Sequence, residues 1–92
     1  MTVRLHITFP GVDQEQFDAV HKIVTAGEPP KGLLFHSSAP SGDDWVVIDF
    51  WESRQDFEAA MPDLQKGIES AGVTLKGLPS VEEFPVYECS GA

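Results

Sequence analysis

From Val3 to Phe9 the chain alternates without a break. Val3, Leu5, Ile7 and Phe9 are apolar, and Arg4, His6 and Thr8 lie between them. Period two is that of a strand with one face in a core. Pro10-Gly11 stops it. Asp13, with Gln16 three residues on, has the spacing of a capping box, and Phe17, Val20, Ile23 and Val24 then recur at helical intervals. This helix is expected to end by Gly27, because Pro29 and Pro30 cannot continue it. Two further strands are predicted from Leu33 to Ser38 and from Trp45 to Trp51, with a turn around Ser41-Gly42-Asp43-Asp44. Ser53 is placed to cap a second helix whose stripe is Phe57, Ala60, Met61, Leu64 and Ile68. Pro62 is expected to kink or split that helix and Gly72 to end it. Val81 to Glu88 supplies a last strand, in which Pro85 indicates a sheet edge or a bulge.

The order β-α-β-β-α-β is the split βαβ of an α+β, ferredoxin-like sandwich: a four-stranded antiparallel sheet with both helices on one face. Val3, Leu5, Ile7, Val46, Ile48 and Phe50 are assigned to the helix-covered side. The opposite side is then expected to carry Leu34, Trp45, Val47 and Trp51, with His6, His36 and Asp49 among them. So large an apolar patch is not left in water on a monomer. The economical cover is a second copy, sheet against sheet about a two-fold axis.

Ninety-two residues with 41% apolar content predict one globular domain, residues 1–92. The net charge of −9, from 15 acidic against 6 basic residues, disfavours nucleic acid and anionic membranes as partners. Cys89 is the single cysteine, so no intrachain disulfide and no cysteine-rich zinc site can form. No segment has the pattern of a signal peptide or a membrane span, and a cytoplasmic location is expected.

The hairpin Gly32 to Ser53 holds the candidate chemistry. If Gly42-Asp43 is a two-residue turn, Pro40 faces Trp45, Ser38 faces Val47 and His36 faces Asp49. Directly opposed residues have Cβ atoms about 5 Å apart, within reach for a carboxylate to hold an imidazole by one nitrogen. Two readings of this pair stand. One is a general base oriented for abstraction of an acidic proton; the other is a polar pair that fixes strand register. Trp45, Trp51 and Leu34 offer flat apolar walls to an aromatic ligand, and Phe35 or Tyr87 could join them. His6 is a candidate to share the cavity with Asp49, and Arg4 to neutralise an anionic group on the ligand. Both have a plain surface reading as well. His21 borders the stripe of the first helix and is assigned to packing, since nothing four residues away supports metal binding. Glu52 and Ser53 cap and charge the second helix. Cys89 has no histidine nearby in sequence to activate it.

The segment DFWESRQDFEAA, with PGV…F at the first helix and PPKGLLFH before the hairpin, resembles the dimeric α/β-barrel superfamily over essentially the whole chain. Within it, the chain is similar to small proteins of the antibiotic-biosynthesis-monooxygenase type. The resemblance implies a homodimeric barrel with a ligand cavity. It implies an activity among cofactor-free oxygenation of phenolic polycyclic substrates, haem degradation, lactone isomerisation and polyketide cyclisation, or none at all. Haem-degrading relatives share the tryptophan at Trp51 but carry an iron-ligating histidine about three turns into the next helix. Met61 stands there, the second helix has no histidine, and the asparagine of the first strand is missing. Haem is therefore not expected, nor is any other cofactor or metal. The leading expectation is a homodimer that binds a small apolar or aromatic molecule and acts as a cofactor-independent monooxygenase through His36 and Asp49. A cyclase or isomerase using the same base, and a non-catalytic binding or dimerisation module, are the alternatives.

Overall fold

In the computed structural model, which describes residues 2–88, the chain runs β1 (Val3–Phe9), α1 (Gln14–Val24), β2 (Leu33–Ser41), β3 (Asp44–Trp51), α2 (Arg54–Ser70) and β4 (Ser80–Pro85). The strands form one antiparallel sheet in the order β2-β3-β1-β4, and both helices cover a single face. This is the expected ferredoxin-like α+β arrangement.

Local chemistry sets most boundaries. Asp13 accepts from the Gln16 backbone N–H at 2.8 Å, and the Gln16 side chain accepts from the Asp13 N–H at 3.1 Å, so the capping box is complete. At the far end of α2, Gly72 takes φ +70°, the Val73 N–H reaches back to Ile68 O, and the Gly72 N–H to Glu69 O. That paired pattern is a Schellman stop, which a residue with a Cβ would strain. Pro62 does not split α2, which runs through it as one helix. The last strand is shorter than expected and ends at Pro85, whose missing N–H cannot extend a ladder. Between β2 and β3 the turn is Gly42-Asp43, with a positive φ at Gly42 alone, the signature of a II′ hairpin. Among the described residues no helix is long and apolar enough to cross a membrane. Cys89 lies outside them.

The faces of β3 are the reverse of the expectation. Val3 pairs with Trp51, Leu5 with Asp49, Ile7 with Val47 and Phe9 with Trp45, so the odd-numbered residues of both strands point the same way. Trp45, Val47, Asp49 and Trp51 are buried beneath the helices beside Val3, Leu5, Ile7 and Phe9. Val46, Ile48 and Phe50 occupy the open face with Arg4, His6 and Thr8. Burial explains the choice. Trp45, Val47 and Trp51 together carry more apolar area than Val46, Ile48 and Phe50, and the helix-covered side is the one that excludes water.

A bulge corrects one more position. Register shifts between Leu33 and Phe35, so that Leu33 is Trp51's partner and Leu34 is the extra residue. Leu34 consequently stays 45% exposed instead of joining Trp51.

Candidate functional site

Sheet and helices do not close fully on one another. Between them lies a cavity of about 320 Å³, walled by Val20 and Val24 of α1, Leu33 of β2, Met61 and Leu64 of α2, and Trp51 of β3. Its volume is at the lower end of the range for small-molecule sites, about 300–1,000 Å³. Pro29 and Pro30, in the connection from α1 to β2, line it as well.

Into this apolar space β2 and β3 project one polar pair. His36 and Asp49 are cross-strand partners, as the two-residue turn requires, and His36 Nδ1 lies 2.7 Å from Asp49 Oδ1. The other carboxylate oxygen, Oδ2, accepts from Trp51 Nε1 at 3.3 Å. Asp49 is thus a buried acid with both oxygens engaged. An imidazole that donates from Nδ1 to a carboxylate is fixed in one tautomer and presents the Nε2 lone pair to whatever occupies the cavity. The hydrogen bond to Asp49 raises the His36 pKa above its ordinary 6.5; partial burial opposes the rise and the Asp49 charge adds to it.

Around the pair runs a set of stacked rings. Phe17 stacks on Trp45 with centroids 5.0 Å apart, and on His21 at 5.4 Å. His21 in turn faces His36 at 5.6 Å with the planes 20° apart. The site therefore holds a second imidazole, on α1, that the sequence reading assigned to packing. The available signal was its position one residue beyond Val20 on the apolar stripe, which gives an amphipathic ring access to the space beneath the helix.

Of the residues singled out from sequence, His36, Asp49 and Trp51 line the cavity. Trp45 backs it through Phe17. Leu34 is displaced by the bulge, and Leu33 lines the wall in its place. His6 and Arg4 are on the opposite side of the sheet, because the even-numbered residues of β1 face away from the helices. There the His6 ring lies 5.1 Å from Phe84, and the Arg4 guanidinium sits 4.9 Å over the same ring. Tyr87 follows β4 and is 99% exposed. Among the described residues no three His, Cys, Asp or Glu side chains are grouped to hold a metal ion.

No protein-family model matches the chain, and no curated protein matches it in sequence. Solved structures do match in fold. A Chloroflexus aurantiacus protein provisionally described as an antibiotic biosynthesis monooxygenase superposes with a TM-score of 0.73 at 16% identity, covering 99% of this chain and 98% of its own. A monooxygenase from the ActVA-Orf6 gene of Streptomyces coelicolor, in complex with nanaomycin D, gives 0.64 at 19% identity over 98% of this chain and 92% of that one. SnoaB, a cofactor-independent oxygenase from Streptomyces nogalater, gives 0.64 at 12% identity over 96% and 95%. The likeness takes in all six elements of the described residues and is one of fold.

Proposed function

We propose that the cavity binds a small, largely apolar aromatic molecule, and that His36, held by Asp49, acts on it as the general base of a cofactor-independent oxygenation. One observation carries the reading: a carboxylate-oriented imidazole stands in the wall of a largely apolar cavity, with its Nδ1 committed to Asp49 at 2.7 Å. Two of the fold's neighbours are described as a monooxygenase and a cofactor-independent oxygenase, which supports the same reaction class.

The chemistry closes without a further reagent. Nε2 of His36 takes the phenolic proton, and the phenolate places electron density on a ring carbon. Dioxygen bonds to that carbon, and His36 returns its proton to the resulting peroxide. Loss of the ring C–H proton with cleavage of the O–O bond releases water and leaves a quinone carbonyl. One oxygen atom of dioxygen enters the product and the other leaves as water, so a phenol plus dioxygen becomes a quinone plus water. The protein contributes a base, a water-poor space and a fixed geometry. Haem fits poorly here, since Met61 and not a histidine faces the cavity from α2.

The reading includes a homodimer. The open side of the sheet presents Phe35, Val46, Ile48, Phe50 and Phe84, with Phe35 66% exposed. Beneath these, Arg4 Nε and His6 Nε2 are buried without a hydrogen-bond partner. A second copy laid sheet to sheet would cover the apolar area and could supply the missing partners. With a single cysteine the chain forms no intrachain disulfide and needs no oxidising compartment, in keeping with the expected cytoplasmic location.

The test is turnover of a hydroxylated polycyclic substrate by His36→Ala under air. Abolished turnover with unchanged mass in solution is expected; full activity in the variant excludes His36 as the base. Turnover by the unaltered protein that persists without oxygen would make it a cyclase or isomerase instead.

A further inference from the structure

Among the described residues, the carboxylates at the cavity that have no ion-pair partner are Glu28 and Asp63, and no lysine or arginine lines it to offset them. Among the described residues its titratable lining consists of His21 from α1, Glu28 from the α1–β2 connection, His36 from β2, Asp49 from β3 and Asp63 from α2. No lysine or arginine contributes. Asp49 is consumed by His36 and Trp51, so the His36–Asp49 pair offers no net positive charge. Glu28 and Asp63 are exposed, and no ion pair among the described residues involves either of them. Arg4, the guanidinium best suited by sequence to hold an anion, lies through the sheet on the far side.

From this distribution we infer that the cavity selects a ligand that is uncharged on entry, a neutral hydroxyarene without a carboxylate, sulfonate or phosphate. The inference rests on the proposed ligand-binding role of the cavity and adds its charge selectivity. An anion would pass two carboxylates and then lose water against Val20, Leu33, Met61 and Leu64 with no counter-charge to replace it. A phenol avoids that cost. Its pKa is near that of tyrosine, about 10, so it enters neutral at pH 7 and becomes an anion only when His36 takes its proton. Binding and chemistry then require opposite charge states of the ligand, and the histidine is what connects them.

Three probes of one ring system test this by calorimetry at pH 7.5: 2-naphthol, methyl 6-hydroxy-2-naphthoate and 6-hydroxy-2-naphthoic acid. The ester is the larger molecule and is neutral, while the acid is smaller and anionic, so size and charge are separated. The naphthol and the ester are expected to bind, and the acid to bind about tenfold or more weakly than the ester. In the Glu28→Gln, Asp63→Asn double variant the gap should narrow through tighter binding of the acid. Acid binding as tight as the ester's, or tighter, overturns charge selection while leaving the cavity a ligand site. An acid still excluded from the double variant overturns the assignment to Glu28 and Asp63. Failure of all three probes at millimolar concentration removes the ligand-binding reading itself, and this inference with it.

Discussion

Leu5, which has no solvent exposure, stands directly across the β1–β3 ladder from Asp49. The most deeply buried apolar side chain and the buried carboxylate are therefore neighbours on one face. The carboxylate is tolerated there because His36 and Trp51 satisfy both of its oxygens. Leu5→Ala should destabilise the fold by about 2–5 kcal/mol, measured by urea denaturation, because it opens a hole in a close-packed layer. A loss below 1 kcal/mol would mean that this layer is not the packed core.

Asp49→Asn removes the charge that favours imidazolium. The His36 pKa, followed by NMR, should lie above 6.5 in the unaltered protein and fall in the variant. Turnover should drop with it, since the ring loses its fixed orientation as well as its basicity. An unmoved titration curve would show that the pair is not formed in solution.

The same interaction makes stability depend on pH. A histidine whose folded-state pKa is raised binds its proton more tightly in the native state than in the unfolded chain. Its contribution is fully present below the unfolded value of about 6.5 and is lost as pH rises through the folded pKa. The stability difference between the unaltered protein and Asp49→Asn should accordingly be largest near pH 6 and smaller by pH 9. Comparing urea midpoints at the two values checks the sign; a difference that grows with pH contradicts it.

Phe35 contributes nothing to the monomer's core that its 66% exposure would not already forfeit. Phe35→Glu should leave the chain folded by circular dichroism yet halve its mass in light scattering, by placing a charge on the proposed sheet-to-sheet contact. A unaltered-protein mass equal to one chain would remove the dimer.

How far each feature can be read from sequence follows its range along the chain. His36 opposite Asp49 was legible because a two-residue turn fixes the register of the residues flanking it, and Gly42 marks that turn. The capping box at Asp13 and the stop at Gly72 are likewise written in a few adjacent residues. Leu34 was misplaced for a different reason. A bulge adds one residue to one strand, and nothing in GLLFH distinguishes a bulged leucine from a paired one.

The sequence by itself determined the six elements, the antiparallel hairpin and the pairing of an imidazole with a carboxylate. Only the tertiary structure decided which way that pair looks. The register of β3 against β1 joins residues more than thirty positions apart, and a shift of one residue exchanges every side chain between faces. The outcome was set by where the indoles of Trp45 and Trp51 lose most contact with water, under the helices. Asp49 shares their parity along the strand, so it and His36 went with them, into the cavity and toward His21.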